Sequence, residues 1–170
     1  IRSIQTMNKM PPGYDRNCRH LTPEEIKANL DAGKPYVIRL KVPLEGVTRF
    51  KDALLGDIEW KNEDINPDPV LLKSDGMPTY NFANVIDDHL MNITHIIRGS
   101  EYLSSNPKYI LLYQAFGWEI PGYIHLPLIA GRNPDGTISK LSKRHGAVSF
   151  NDLVGLGYLP EAIVNYIALL

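Results

Sequence analysis

Three polar residues in the middle of the chain have the types and the spacing of a small anion-binding pocket. Tyr80 and Asn84 are four residues apart, and residues at that spacing share one face of a helix. Arg98 follows the apolar run 93–97, which predicts a strand. The carboxyl ends of strands form the ligand-binding edge of open α/β sheets. Two hydrogen-bonding side chains beside an arginine at that edge predict a polar pocket for an anionic ligand.

A second candidate site is the basic loop at residues 139–146. It carries three fixed cations within five residues, Lys140, Lys143 and Arg144. Lysines on a flexible loop can close over a polyphosphate and neutralise the charge that develops during transfer. A solvated basic loop is the simpler alternative. The loop follows a predicted buried strand, residues 123–129, and this position favours the ligand-binding interpretation.

Some neighbouring residues have structural explanations that compete with functional ones. Arg98 could form a structural ion pair with Asp87 or Asp88. The run Asp87-Asp88-His89 has the composition of a metal or acid–base cluster, but adjacent helix residues point in different directions, so we expect it to brace the turn into the next strand. We predict no metal bound by protein side chains, because the histidines show no ligand spacing: His20, His89, His95, His125 and His145.

The first part of the chain predicts one well-marked helix among short strands. Thr22, Pro23 and Glu25 have the spacing of a capping box with proline at the first helical position, and Gly33 ends this helix. We expect residues 1–20 to be irregular. Strands are predicted at Tyr36–Val42, Ile58–Trp60 and Val70–Leu72.

From Pro78 onward, helices and strands alternate. The predicted order is a helix at Tyr80–Leu90, a strand at Ile93–Arg98, a helix capped by Asn106 that starts with Pro107 and ends at Gly117, and a buried strand at Tyr123–Ile129. This spacing implies parallel βαβ units. A loop at residues 130–146 and a helical end at residues 151–170 follow, with Pro160 starting the last helix.

Composition limits the possible classes of protein. The 170 residues carry a net charge of −1, which predicts neither a nucleic-acid coat nor a membrane surface binder. Cys18 is the only cysteine, so no intrachain disulfide or zinc-binding cysteine cluster can form, and we expect a reducing, cytoplasmic setting. No apolar run approaches the ~18 residues of a membrane span. The chain lacks an initiator methionine and stops inside an apolar helical pattern, so we expect it to be an excerpt of a longer polypeptide.

Four collinear stretches resemble bacterial glutamyl-tRNA synthetases, which are class I aminoacyl-tRNA synthetases. Lys140-Leu141-Ser142-Lys143-Arg144 is similar to the Lys-Met-Ser-Lys-Ser signature of that class, in the Lys-x-Ser-Lys-Arg form common in the glutamyl enzymes. The other three stretches are Val37-Ile38-Arg39-Leu40-Lys41-Val42-Pro43, Tyr80-Asn81-Phe82-Ala83-Asn84-Val85-Ile86-Asp87-Asp88-His89-Leu90-Met91 and Leu111-Leu112-Tyr113-Gln114-Ala115-Phe116-Gly117-Trp118. The resemblance covers essentially the whole chain.

The resemblance implies a role for each matched position. Tyr80 and Asn84 would line a glutamate pocket, and Arg98 would bind the side-chain carboxylate of the substrate. Glu101 would lie near ATP, and the backbone of Ile129 would face the nucleotide.

In the basic loop, the resemblance makes Lys143 the residue that holds the triphosphate while the adenylate forms. Lys140, Ser142 and Arg144 would support it, and Leu141 belongs to the same ATP-binding motif. Glutamate would attack the α-phosphorus of ATP, and the glutamyl group would then move to tRNA(Glu). Mg²⁺ would arrive with ATP as part of the substrate; we expect no protein-bound zinc, no membrane partner and a monomer.

The implied fold is α/β, the second half of a Rossmann-like class I catalytic domain preceded by an α+β connective insertion. We assign residues 1–74 to the acceptor-end-binding insertion, 75–150 to the catalytic half-domain and 151–170 to the start of a helical stem-contact region. No histidine starts a His-x-Gly-His-type motif. We therefore expect that motif upstream and an anticodon-binding domain downstream, and we predict that the fragment alone is inactive.

Three alternatives stay open beside this interpretation. Glutaminyl-tRNA synthetase is disfavoured by Arg98 and the Asn81–Asn84 context. A paralogue that glutamylates a tRNA base usually has a zinc-binding cysteine cluster, which the single Cys18 does not support. A non-catalytic module that binds tRNA acceptor ends is the third, and the basic residues of the first part could supply its phosphate contacts: Lys9, Arg16, Arg19, Lys27, Lys34, Arg39 and Lys41.

Overall fold

The computed structural model describes residues 2–7, 13–65, 67–133, 135–141 and 149–169. The helices are α1 (Arg2–Met7), α2 (Pro23–Asp31), α3 (Tyr80–Leu90), α4 (Asn106–Phe116), α5 (Phe150–Gly155) and α6 (Pro160–Ala168). The strands are β1 (Ile38–Arg39), β2 (Val47–Asp52), β3 (Gly56–Lys61), β4 (Val70–Leu72), β5 (His95–Gly99), β6 (Gly122–Leu126), β7 (Ala130–Arg132) and β8 (Ile138–Lys140). Short 3₁₀ helices lie at Asn17–His20, Asn62–Asp64 and Ser100–Ser105.

A mixed four-stranded sheet in the order β3-β2-β6-β5 forms the framework. β5 and β6 are parallel and are joined through α4, with Arg98 aligned beside His125. This confirms the predicted βαβ unit, because parallel neighbours need a crossover connection. The β2–β3 hairpin joins the same sheet, since Asp52 pairs in parallel with Tyr123. Two smaller antiparallel pairs, β1-β4 and β7-β8, stand apart from this sheet.

Helix α4 lies between two hydrophobic clusters, which explains why it lacks one apolar face and one polar face. On one side Ile110 packs with Phe50, Ile96 and Tyr123 of the sheet. On another side α4 packs against α3 and the first part of the chain, in a cluster made of Leu40, Val42, Ile65, Leu71, Val85, Tyr109, Leu112 and Tyr113. A helix covered on several faces is apolar around most of its circumference.

Several predicted elements form as expected. Thr22 caps α2, and the capping box with Glu25 is complete. Helix α3 has the predicted bounds, and Pro160 begins α6. Gly117 ends α4 in the left-handed conformation.

Other predictions are wrong in their details. The segment at residues 1–20 contains α1 and a 3₁₀ turn. The predicted strand at Tyr36–Val42 shrinks to two residues, since its partner β4 has only three and the register shifts between them. Asn106 is not the cap of α4: the preceding 3₁₀ helix runs directly into α4, so Asn106 already has helical backbone angles.

Two further corrections concern the end of the βαβ unit. β6 ends at Leu126 rather than at Ile129, and the next residue is Pro127, which has no N–H to donate to a ladder. Residues 130–146 are not simply a loop, because β7 and β8 form a hairpin within them. Asn133 and Thr137 close its turn through a backbone hydrogen bond of 2.8 Å.

Gly117 is a position where the backbone should resist substitution. Its φ is +68°, and the N–H of Trp118 donates to the carbonyl of Tyr113 at 2.9 Å, which is the helix-ending arrangement that favours glycine. We predict that Gly117→Ala lowers the free energy of unfolding by about 1 kcal/mol, because a side chain strains this conformation. Urea denaturation followed by circular dichroism would measure the change.

Gly155→Ala is the matched control for that substitution. Gly155 ends α5 without a positive φ, and a Cβ there would meet nothing within 4 Å. Alanine should therefore leave the stability unchanged or raise it. An equal loss of stability in both variants would contradict the conformational explanation.

Candidate functional site

A cavity of about 410 Å³ lies between α3 and the carboxyl end of β5. It brings together the three residues predicted to form the anion pocket, Tyr80, Asn84 and Arg98. The remaining lining residues are Asp88, Ile93, His95, Ile96, Ile97 and Tyr102. The predicted grouping is therefore formed in the folded chain.

The position of α3 explains how two of these side chains reach the cavity. Tyr80, Asn84 and Asp88 are spaced four residues apart, so they form one stripe along the helix. Val85 projects into the core and is 1% exposed. Thr79 fixes the start of α3 against β4, because its N–H donates to the carbonyl of Leu71 at 2.8 Å and its hydroxyl donates to that of Val70 at 2.8 Å.

Arg98 is held by aromatic rings rather than by a carboxylate. Its guanidinium carbon lies 5.0 Å from the ring centroid of Tyr109, 5.5 Å from that of Tyr102 and 6.0 Å from that of Tyr123. These distances permit cation–π attraction. No ion pair among the described residues involves Arg98, so the structural ion pair considered above does not form.

Hydrogen-bonding groups in the pocket remain unused. Within the part of the chain that the structure describes, one terminal nitrogen of Arg98 and both amide atoms of Asn84 are buried without a hydrogen-bond partner. A buried polar group without a partner costs about 1–3 kcal/mol. These atoms are therefore suited to a polar ligand that supplies the missing bonds.

Asp88 is an acidic residue of the pocket lining. Burial raises the pKa of Asp88, and the neighbouring Asp87 charge acts in the same direction, while the positive charge of Arg98 acts against them. Asp88 is half-buried and lines the same pocket as Arg98.

Glu101 and Lys140 form an ion pair that joins the pocket to the β7–β8 hairpin. Glu101 lies three residues after Arg98 and folds over Gly99, where an added Cβ would be 2.0 Å from a Glu101 carboxylate oxygen. The hydrogen bond from Lys140 lowers the pKa of Glu101, and the same bond raises the pKa of Lys140. The two predicted ATP-site residues therefore lie together.

The base of the hairpin contains two more of the predicted residues. The N–H of Leu141 donates to the carbonyl of Ile129 at 2.8 Å, while the Ile129 side chain is exposed. The remaining predicted loop residues, Ser142, Lys143 and Arg144, lie outside the described residues. The predicted ATP-binding role thus stays a prediction for the whole loop.

Sequence reasoning missed the tyrosines that surround Arg98. Tyr109 and Tyr123 are each 1% exposed, and they have the appearance of ordinary core residues in the sequence. Tyr102 is four residues after Arg98, a spacing that could have drawn attention to it. The alignment of β5 with β6 brings Tyr123 beside Ile96, a proximity that becomes visible only once the parallel pairing is known.

The described residues also set limits on other kinds of site. Among them, no three His, Cys, Asp or Glu side chains come together in a group that could hold a metal ion. No helix in the described ranges is long and apolar enough to cross a membrane.

Comparison with known proteins identifies the family. Residues 1–170 match the family described as tRNA synthetases class I (E and Q), catalytic domain. The chain therefore belongs to the class I tRNA synthetases for glutamate and glutamine. This confirms the family predicted from the four matching stretches.

Individual relatives extend the likeness over the full chain. The chain is 67% identical to a glutamate–tRNA ligase of Treponema denticola and 61% identical to one of Treponema pallidum, each over all 170 residues. A crystal structure of a glutamate tRNA ligase from Elizabethkingia meningosepticum in complex with its amino acid is 38% identical, with a TM-score of 0.79 over 99% of this chain and 38% of that one. The chain spans about a third of the length of these curated relatives, 33% and 31%.

The ion pair between Glu101 and Lys140 can be tested by measuring the pKa of Glu101. We expect the pKa of the Glu101 carboxyl, followed by NMR, to lie below the usual glutamate value and to rise toward it in Lys140→Ala. Pairing favours the ionised carboxylate, so its contribution is present at neutral pH and is lost as the pH falls through the lowered folded-state pKa.

Glu24 provides the internal control for this titration. Its pKa is lowered by local hydrogen bonds at the start of α2, from its own backbone and from Thr22, and it should not respond to Lys140→Ala. An unchanged Glu101 titration in that variant would show that the ion pair does not persist in solution.

Proposed function

We propose that the protein to which this chain belongs joins L-glutamate to tRNA(Glu) at the expense of ATP, through a glutamyl-adenylate. The observation that carries the proposal is the Arg98 guanidinium, which meets no carboxylate among the described residues and lines a pocket with Asn84. The chain belongs to the class I tRNA synthetases for glutamate and glutamine, and we therefore propose that the anionic ligand of this pocket is an amino acid.

Recognition of glutamate would depend on the shape of the arginine fork. A guanidinium can donate two parallel hydrogen bonds to one carboxylate. Glutamine presents a neutral amide to the same fork, so a charge-assisted bond worth about 1.5–3 kcal/mol would be weakened or lost. Tyr80, the first residue of α3, and Asn84, one turn later, would orient the rest of the substrate.

Activation of glutamate would depend on neutralising the negative charge of the ATP phosphates, and it would need no covalent intermediate with the protein. An oxygen of the glutamate α-carboxylate attacks the α-phosphorus of ATP, a new P–O bond forms, and the bond to the bridging oxygen breaks so that pyrophosphate leaves with Mg²⁺. Lys143 would hold the leaving phosphates, with Lys140, Ser142 and Arg144 beside it, because positioned cations stabilise the charge that develops. The amino-acyl group then moves from AMP to the terminal ribose of tRNA.

The pairing of Glu101 with Lys140 supports placing ATP beside the glutamate pocket. It ties the motif that starts at Lys140 to the segment just after Arg98, so the two substrates would meet at the same sheet edge. Ile129 and Leu141 would contribute to the nucleotide side of that crevice. The division at residue 74, the monomeric state, the cytoplasmic location and the inactivity of the isolated chain stay predictions.

Arg98→Ala tests the carboxylate receptor in the full-length protein. We predict that the KM for glutamate rises on the order of 100-fold, since a lost charge-assisted contact costs about 3 kcal/mol, while the KM for ATP changes little. Glutamate-dependent ATP–pyrophosphate exchange would measure both values. Arg49→Ala removes an exposed arginine of β2 that pairs with Glu59, so it serves as control. Equal effects of Arg98→Ala on both substrates would argue against a carboxylate receptor.

Lys143→Ala tests the phosphate side of the site. We predict slower adenylate formation, by on the order of 100-fold, because a cation that stabilises the transferring phosphate is removed. Glutamate binding should be nearly unchanged. Pre-steady-state exchange rates and glutamate calorimetry would separate the two effects. A folded variant with normal turnover would refute the role, and Lys61→Ala, at the exposed end of β3, is the matched charge-removal control.

A further inference from the structure

A fully buried carboxylate–imidazole pair lies behind the pocket, outside every residue assigned above. The Nδ1 atom of His125 is 2.7 Å from a carboxylate oxygen of Asp52, and neither side chain is exposed at all. Asp52 ends β2, and His125 lies near the carboxyl end of β6. The pair therefore spans the junction between the β2–β3 hairpin and the βαβ unit.

Asp52 accepts hydrogen bonds from three backbone N–H groups through its two carboxylate oxygens. One oxygen accepts hydrogen bonds from the N–H groups of Leu54 and Leu55, each at 3.0 Å. The other accepts from the backbone N–H of His125 at 3.0 Å as well as from its ring. Burial acts to raise the pKa of Asp52, but the hydrogen bonds from His125, Leu55 and Leu54 together hold it below its usual value.

An ionised Asp52 determines the tautomer of the imidazole. A carboxylate can only accept, so Nδ1 of His125 carries the proton of this hydrogen bond. Nε2 is buried and has no hydrogen-bond partner within the described segments. The ring itself is fixed between Phe50, at 6.4 Å, and Tyr123, at 6.0 Å with 13° between the planes.

The pair reaches Arg98 through a single aromatic ring. Tyr123 stacks on His125 on one side, and its ring centroid lies 6.0 Å from the guanidinium carbon of Arg98. The strand register reinforces this contact, because Arg98 is the direct β5 neighbour of His125. The carbonyl of Tyr123 also accepts from Ala53 at 2.9 Å, next to Asp52. A shift of His125 would therefore move both the ring and the strand that hold Arg98.

We propose that Asp52 and His125 are positioning residues for substrate recognition, acting through Tyr123 to fix the guanidinium of Arg98 at the pocket. The inference rests on the proposed glutamate-binding role of that pocket. It also makes the β2–β3 hairpin part of the amino-acid site, although its residues fall within the segment that the sequence assigns to an insertion.

Two substitutions of His125 separate positioning from mere packing in the full-length protein. His125→Leu removes both ring nitrogens. His125→Asn keeps a donor near the place of Nδ1, so the bond to Asp52 can re-form. We expect the leucine variant to raise the KM for glutamate on the order of 10-fold, since small displacements of positioned groups are costly, with kcat and the KM for ATP little changed. The asparagine variant should recover most of that loss.

Thr48→Val is the matched structural control. The Thr48 hydroxyl donates to the side chain of Asn62 at 2.7 Å in the same hairpin, and both residues are buried. Among the described residues, no side-chain hydrogen bond, ion pair or ring contact joins this pair to Arg98 or Tyr123. Its loss should lower the melting temperature while leaving the KM for glutamate unchanged.

Each outcome of this comparison decides the question. A selective rise in the glutamate KM with rescue by asparagine supports the proposal. Effects on all parameters that simply follow the melting temperature, as for Thr48→Val, overturn it. If the leucine variant does not fold, Asp52→Asn, which keeps the side-chain volume and removes the charge, takes its place: a selective rise in the KM for glutamate supports the proposal, and an unchanged KM overturns it. A wild type without glutamate-dependent exchange contradicts the proposed function itself, whereas an active wild type with unaffected variants contradicts only the positioning role.

Discussion

The central constraint on this structure is that the guanidinium of Arg98 is held at the edge of a sheet without an ion pair to a carboxylate of the described residues. An arginine paired with an internal carboxylate would have little attraction left for a ligand, whereas Arg98 is surrounded by the faces of Tyr102, Tyr109 and Tyr123. Aromatic faces attract a cation through their quadrupoles but offer it no hydrogen-bond acceptor. The guanidinium is therefore stabilised in place, and one of its terminal nitrogens is left without a hydrogen-bond partner among the described residues.

Such an arrangement demands a rigid support, because cation–π contacts restrain direction less than a bidentate ion pair does. The support comes from the parallel β5–β6 ladder and from α4, whose first turns are buried on several sides. Asp52 adds a fixed connection near the carboxyl end of β6, since its four accepted hydrogen bonds tie a turn and a strand together. Asp52 and His125, each 1% exposed, are among the most buried polar residues of the described chain.

The features that local sequence determines were predictable, and those that depend on pairing between distant segments were not. Thr22 and Glu25 define a helix start through bonds three residues apart, and the Tyr80–Asn84 spacing places both side chains on one cavity. The short β1 strand depends instead on a partner about thirty residues away, and Asn106 lost its capping role to a preceding 3₁₀ helix. The sequence of residues 47–61 does not indicate that their hairpin pairs with β6. The alternation of side chains along a strand shows which face is buried, but it does not show which other strand pairs with it.

The connection between the two halves of the site rests on a small residue. Gly99 follows Arg98 directly, and the carboxylate of Glu101 occupies the space where any other residue would place its Cβ. Glu101 can then turn back to meet Lys140 at the end of β8, which draws the basic motif toward the pocket edge. A larger residue at position 99 would force the Glu101 carboxylate to shift. The backbone immediately after Arg98 thus determines where Glu101, and with it Lys140, can lie relative to the arginine.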